Sequence, residues 1–186
     1  VTISPWAHYD VNSGRVWFWA MSSVTGEVES FDMKWKIHWW RWDAGKNDWE
    51  LESKEGNIAN AVSMGYCFGG ATVMQLAYAG TDLKGVVSFH GSLPLPANAE
   101  EAARIKGAVL IEHGNDDAFI PAERVAAFKA AMADAGVRLT FHGYDGARHG
   151  FTNPDAGSFG IDNLQYDQAA DEASWKSMQV LFEEIF

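Results

Sequence analysis

The chain has 186 residues, a length that fits a single domain with a real core. Its hydrophobic fraction of 47% and charged fraction of 21% are typical of soluble globular proteins, and no apolar run approaches the roughly 18 residues of a membrane span. The net charge of −11 and the pI near 4.8 argue against a nucleic-acid partner, because no cluster of Lys and Arg offers a surface to phosphates. We therefore expect one soluble domain, residues 1–186, with neither nucleic-acid nor membrane partners.

Cys67 is the only cysteine, which excludes an intramolecular disulfide. Its thiol is therefore either a buried apolar filler or a reactive group. The N-terminal segment VTISPWAHYD lacks the basic stretch followed by an apolar run that marks a secretory signal, although a processed chain would lack it too. We expect a cytoplasmic monomer.

The first 60 residues differ in composition from the rest, since eight of the nine tryptophans lie at or before Trp49. Apolar and polar residues alternate with period two over residues 31–39, which predicts a half-buried antiparallel strand. Apolar runs at residues 16–21 and 49–52 flank it, so we predict a three-stranded meander. The tryptophans are better explained by core and hairpin packing than by a sugar- or aromatic-binding platform.

From about residue 61, short apolar runs alternate with helical patterns, which is typical of β-α units and a parallel sheet. The predicted strands cover residues 61–64, 83–89, 108–112 and 138–144. The predicted helices cover residues 68–79, a stretch from about 121 that ends before Gly136, and roughly 166–186. On the last helix we expect one stripe to cover the sheet, namely Ala170, Ala173, Ser177, Leu181 and Ile185. The predicted fold class is α/β, with a mostly parallel sheet of the α/β-hydrolase type, flanking helices and a preceding Trp-rich antiparallel β segment.

The segment Gly65-Tyr66-Cys67-Phe68-Gly69-Gly70 stands where a strand meets a helix and has the G-x-nucleophile-x-G form of a nucleophile elbow, with cysteine in place of serine. The strained turn explains the glycines, because side chains there would collide with neighbouring backbone. A helix N-terminus also favours a thiolate, and the backbone N–H of Phe68 could face an oxyanion. The alternative is a Gly-rich turn around a buried thiol.

Candidate partners for a nucleophile follow the later strands in the expected chain order of nucleophile, acid and histidine. Asp116 and Asp117 come directly after the third strand of the parallel set, and either could be the acid while the other caps a turn. His149 follows the fourth strand and is the candidate general base. A structural or surface role is favoured for the other five histidines, which are His8, His38, His90, His113 and His142. No His/Cys cluster has the spacing of a metal site.

Five blocks in order make residues 61–186 resemble the dienelactone hydrolase family: GYCFGG, VVSFHGSLP, HGNDDAFIP, YDGARHGFTNP and YDQAADEASWKSMQVLFEEIF. The resemblance implies that Cys67 is the nucleophile, Asp117 the acid and His149 the base of a triad. It also implies hydrolysis of a small lactone or carboxylic ester through an acyl-thioester intermediate, without a cofactor.

The chain departs from that family before the elbow, where members normally place further strands and a loop that supplies a second oxyanion donor. Residues 38–40, His-Trp-Trp, faintly resemble that loop's HEWWG sequence, but its Glu and Gly are missing. The loss of one oxyanion donor costs roughly 10²- to 10³-fold in rate, so a complete triad could sit in a weak enzyme. The alternative function is a non-catalytic binding or chimeric scaffold that retains a truncated hydrolase core.

Overall fold

The structure is a computed structural model that describes residues 62–186 throughout and, before them, the backbone of four short strands within residues 6–51. It divides into two compact units, Val1–Gly56 and Asn57–Phe186. The boundary lies close to the change in composition near residue 60. The expectation of a single domain over residues 1–186 stays a prediction.

The described strands of the first unit form two antiparallel pairs. Strand β1 (Trp6–Asp10) pairs with β2 (Arg15–Trp19), and β3 (Trp40–Asp43) pairs with β4 (Asp48–Leu51). The apolar runs predicted at residues 16–21 and 49–52 overlap β2 and β4, which supports the prediction of an antiparallel β segment. The third predicted strand, residues 31–39, lies outside the described residues, and β1 was not predicted.

The second unit contains a four-stranded parallel sheet whose strands neighbour one another in chain order. These strands are β5 (Val62–Tyr66), β6 (Gly85–Phe89), β7 (Ala108–Gly114) and β8 (Leu139–Tyr144). Every residue of β6 and β7 is buried, as the near-continuous apolar runs of central parallel strands require. The predicted α/β fold with a parallel sheet is therefore confirmed.

Three helices stand at the positions that the periodicity predicts, namely α1 (Phe68–Tyr78), α3 (Ala122–Asp134) and α4 (Gln168–Ile185). A short helix α2 (Ala99–Ala102) and a 3₁₀ helix at Ala156–Phe159 lie between them. Gly80 and Gly136 follow α1 and α3 with φ of 77° and 68°, a conformation that glycine adopts at little cost when it ends a helix. The helix α2 and the 3₁₀ helix were not predicted, because four residues are too few to show a helical period.

The C-terminal helix α4 packs on the sheet, but the predicted stripe is partly wrong. The buried residues are Ala170, Ser174, Met178 and Leu181, whereas Ala173 is exposed and Ser177 and Ile185 are half-buried. The real stripe therefore lies one position further along the helix in its middle turns, a rotation of about 100°. Met178 and Leu181 contact the apolar side chains of the two central strands, namely Val87, Phe89, Ala108 and Leu110.

One acidic side chain, Glu112 of β7, is fully buried near the same helix. The Tyr144 hydroxyl donates to its carboxylate at 2.6 Å, and His142 Nδ1 lies 3.4 Å from it. His142 Nδ1 also lies 2.9 Å from the Ser177 hydroxyl, so the group links β7, β8 and α4. Burial raises the pKa of Glu112 above its ordinary value, against the hydrogen bonds that lower it.

Replacing Met178 by Ala tests the observed packing of α4. Met178 is 2% exposed, so its loss should lower the free energy of unfolding by about 2–5 kcal/mol. The matched change Val180→Ala, at a side chain that is 46% exposed, should cost about 0.5 kcal/mol or less. Urea denaturation measures both, and equal losses would show that α4 does not pack as described.

Candidate active site

The turn between β5 and α1 holds Cys67 in an unusual backbone conformation. Cys67 has φ 54° and ψ −118°, a region that residues with side chains rarely adopt, and it is exposed to solvent. Such a conformation costs of order 1–3 kcal/mol and persists only where the surroundings enforce it. Strain at an exposed cysteine fits a reactive thiol better than a buried filler.

The glycines around Cys67 are required by close packing. A Cβ on Gly65 would collide with the backbone carbonyl group of Gly69, and one on Gly70 would lie 2.5 Å from the Ser88 hydroxyl. The contact at Gly65, two residues before Cys67, is a collision that the elbow motif predicts. The atoms that a Cβ would meet at Gly65 are backbone atoms, so the turn can bring the start of α1 against the end of β5 only with glycine there.

The three residues of the predicted triad lie in one hydrogen-bonded chain. His149 Nε2 is 3.0 Å from Cys67 Sγ, and His149 Nδ1 is 2.8 Å from Asp117 Oδ2. The parallel sheet explains this meeting, because the carboxyl ends of β5, β7 and β8 lie at one edge. The spacing allows His149 to exchange a proton with the thiol while Asp117 orients the ring.

Asp117 rather than Asp116 contacts the histidine, and it is buried whereas Asp116 is exposed. Its other oxygen accepts from the Phe119 N–H at 2.9 Å and from Asn163 Nδ2 at 3.0 Å. Burial raises the pKa of Asp117, but the hydrogen bonds from His149, Asn163 and Phe119 outweigh it and hold the pKa below its ordinary value. Asp117 is therefore kept ionised beside the ring.

The electrostatics of the pair favour a thiolate and an imidazolium. The hydrogen bond from His149 lowers the pKa of Cys67, against the opposing effect of burial, and a backbone bond from Phe68 lowers it further. Burial alone would lower the pKa of His149, but Asp117 and Cys67 together raise it to about 9. Both shifts favour the state in which the proton is held on the imidazole and the sulfur carries the charge.

Phe68 begins α1, so its N–H has no acceptor within the helix and is directed at the sulfur of Cys67. The N–H of Cys67 itself is already used, since it donates to the Phe89 carbonyl at 3.0 Å and to His90 Nδ1 at 3.2 Å. Phe68 thus remains the predicted oxyanion donor. Of the loop expected to supply a second donor, residues 38 and 39 lie outside the described residues.

Two residues outside the predicted triad contact it: His90, for which the sequence predicted a structural or surface role, and Asn163, for which it predicted none. His90 stands at the end of β6, and a position beside a glycine at a strand end was its only signal. Asn163 donates to Asp117 and accepts from the Ala118 N–H at 2.9 Å, although it lies 46 residues away from Asp117 in the chain. No short motif marks such a partner.

Two exposed aromatic side chains lie next to residues of the predicted triad. Phe68 and Phe119 are 68% and 53% exposed, and the Phe119 ring packs edge-on against His149 at 5.2 Å between centroids. Exposed aromatic rings beside a nucleophile can contact the apolar part of a small substrate. Within the described residues, no group of three or more His, Cys, Asp or Glu could hold a metal ion, and no helix there is long and apolar enough to cross a membrane.

Comparison with known proteins gives one family. The sequence pattern of the dienelactone hydrolase family matches residues 40–186, a range that starts earlier than the motif blocks do. A dienelactone hydrolase-like promiscuous phosphotriesterase from metagenomic libraries superposes with a TM-score of 0.68 at 38% identity, covering 73% of this chain and 56% of that one.

Two curated relatives are also similar. A Saccharolobus solfataricus protein, named as a candidate carboxymethylenebutenolidase, is 30% identical over 70% of this chain and 46% of its own length. An uncharacterized Caenorhabditis elegans protein is 26% identical over 67% of this chain and 79% of its own. The chain thus spans about half the length of the archaeal relative and of the metagenomic structure.

The charge state of Cys67 gives a pH prediction. In the wild type, alkylation of Cys67 by iodoacetamide should reach half its maximal rate at a pH below that of an ordinary thiol, because His149 lowers the pKa. His149→Ala should move this midpoint up toward the ordinary value. His142→Ala, which removes an imidazole that contacts Glu112 instead, should leave it in place. A midpoint that is ordinary in the wild type would contradict the ion pair.

Proposed function

Because this chain belongs to the dienelactone hydrolase family, we propose that it hydrolyses a small lactone or carboxylic ester by acyl transfer to Cys67. The observation that carries the proposal is the 3.0 Å contact between Cys67 Sγ and His149 Nε2, continued by the 2.8 Å contact to Asp117. Nucleophile, base and orienting acid in hydrogen-bond reach are the geometric signature of nucleophilic catalysis.

Acylation would begin from the ion pair. The Cys67 thiolate attacks the carbonyl carbon, and the N–H of Phe68 stabilises the charge that develops on the carbonyl oxygen. As the carbon–oxygen bond to the leaving group breaks, the His149 imidazolium donates its proton to that oxygen. The products of this half-reaction are an acyl-thioester on Cys67, an alcohol and a neutral His149. In a lactone, the alcohol stays attached to the acyl group.

Deacylation would use the same residues in reverse. Neutral His149 takes a proton from water while the water oxygen attacks the thioester carbonyl, and the bond from carbon to Cys67 Sγ breaks. The thiolate and the imidazolium are thereby restored, and a carboxylic acid leaves. Asp117 stabilises the imidazolium at both stages without itself accepting the proton.

The open apolar surface supports a small substrate with an apolar part. Phe119 shields one side of the His149 ring, and Phe68 stands beside the sulfur with most of its surface exposed. An aryl ester should bind against such rings. No cofactor enters any step of this proposal, and a monomer in the cytoplasm remains the expected form, which light scattering and cell fractionation would test.

A second candidate reaction is hydrolysis of a phosphotriester. The structural relative at 38% identity is described as a promiscuous phosphotriesterase, and the same thiolate could attack phosphorus in place of carbon. Parallel assays with an aryl ester and an aryl phosphotriester distinguish the two. A higher kcat/KM for the phosphotriester would favour this second reaction.

Paired aspartate variants test the triad. Asp117→Asn should lower kcat for 4-nitrophenyl acetate by roughly 10³-fold or more, because His149 then loses the charge that holds its tautomer. Asp116→Asn removes the same charge one residue away, at an exposed position, and should change kcat by less than about threefold. Stopped-flow or steady-state absorbance measures both.

Cys67→Ala in the same assay separates the proposal from a non-catalytic scaffold. It should abolish turnover above background, since no second nucleophile stands in the chain of contacts. Turnover that survives this change would reject the nucleophile. Absence of activity against every ester in the wild type, combined with quenching of tryptophan fluorescence by a sugar or aromatic ligand, would favour the scaffold.

A further inference from the structure

His90 stands where β6 ends, directly behind the elbow. It is 4% exposed and has φ 40°, a left-handed conformation that costs roughly 1–2 kcal/mol for a residue with a side chain. Its ring packs edge-on against His149 at 5.1 Å and against Phe151 at 5.3 Å between centroids. A strained, buried histidine in contact with the base of the triad calls for a reason other than filling space.

Both ring nitrogens of His90 have partners. One partner lies in the turn that carries Cys67, and the other lies in the loop that carries His149. Nδ1 lies 3.2 Å from the N–H of Cys67, which can only donate, so Nδ1 must be the acceptor. In the neutral ring Nε2 then carries the hydrogen and donates to the Thr152 hydroxyl at 2.9 Å. Thr152 follows His149 by three residues. One ring therefore joins the nucleophile turn to the loop that carries the base.

This arrangement requires His90 to be neutral. A proton on Nδ1 would point at the N–H of Cys67, and a positive ring would stand beside the imidazolium of His149. Burial, reinforced by the charge of His149, lowers the pKa of His90 to about 3. His90 can therefore serve as a fixed acceptor and donor over the whole range in which the ion pair exists.

We propose that His90 is a positioning residue that holds the turn of Cys67 and the loop of His149 in register, so that Sγ and Nε2 stay in contact. The inference rests on the proposed function, because it concerns the same thiol and imidazole. His90 takes no proton in the reaction. It acts through the distance between two other side chains, and a change of about 1 Å in such a distance can cost roughly 10²-fold in rate.

The bridge that His90 forms runs from the N–H of Cys67 to the hydroxyl of Thr152. Thr152 can be changed without altering the strained backbone at His90. Thr152→Val removes the hydroxyl but keeps the shape, so His90 loses its acceptor. We expect kcat for 4-nitrophenyl acetate to fall about three- to tenfold with little change in KM, as the loss of one such bond implies. The pH midpoint for alkylation of Cys67 should rise at the same time. Thr152→Ser should retain both properties, and Thr140→Val, at an exposed strand position, is the matched control.

The complete test is a double-mutant cycle with His90→Asn. Asparagine tolerates the left-handed backbone, and its Oδ1 can replace Nδ1 as acceptor for Cys67, but it cannot reach Thr152. His90→Asn and Thr152→Val should therefore have similar effects, and the double variant should be no worse than either, because all three lack the same link. Thermal denaturation of each variant reports folding separately.

The outcomes distinguish this inference from the proposed function. Additive effects in the cycle, or a Thr152→Val protein with wild-type kcat and alkylation midpoint, would overturn the role of His90. If His90→Asn fails to fold, Thr152→Val against Thr152→Ser decides alone. A wild type that hydrolyses no ester, yet shows the coupled shift in alkylation midpoint, would reject the proposed reaction and retain the bridge.

Discussion

The 3.0 Å contact between Cys67 Sγ and His149 Nε2 is the interaction on which the rest of the site depends. It joins residues 82 positions apart in the chain, and only the parallel order of β5 to β8 brings them to one edge of the sheet. The pKa of Cys67 is lowered and that of His149 is raised, so both partners are shifted toward their charged forms. Asp117 contacts Nδ1, the other nitrogen of the same ring, and His90 links the turn of Cys67 to the loop of His149. The strain at Cys67 and the missing side chain at Gly65 are consequences of holding the sulfur where the imidazole can reach it.

Much of this could be predicted from the sequence because it follows from local rules. Alternation of apolar runs and helical patterns gave the four parallel strands and the three longer helices, and glycines marked the ends of α1 and α3. The elbow could be recognised because its glycines stand at fixed offsets from Cys67. By contrast, the buried stripe of α4 depends on which side of the helix meets the sheet, and neighbouring apolar positions such as Ala173 mislead a period count. His90 and Asn163 act through hydrogen bonds to residues far away in the chain, and no spacing in the sequence predicts such contacts.

The sequence before about residue 60 differs from the pattern of the family. The family match begins at residue 40, yet the strands described before residue 52 are short antiparallel pairs rather than further members of the parallel sheet. Within the described residues, the backbone of Phe68 is the one group that we assign to stabilise an oxyanion. A site with a complete ion pair and a single such donor would acylate more slowly than one with two. The family match therefore establishes the ancestry of the chain, whereas its catalytic rate depends on the number of oxyanion donors.

Trapping the acyl intermediate tests whether Cys67 is the nucleophile. The protein is mixed with 4-nitrophenyl pivalate, whose bulky acyl group slows deacylation, quenched in acid and mapped by peptide mass spectrometry. If Cys67 is the nucleophile, the peptide that contains Cys67 should carry one added pivaloyl group, and hydroxylamine should release it as it releases a thioester. Formation of 4-nitrophenol by the protein with the acyl group on any other side chain, or with Cys67 unmodified throughout, would contradict this assignment.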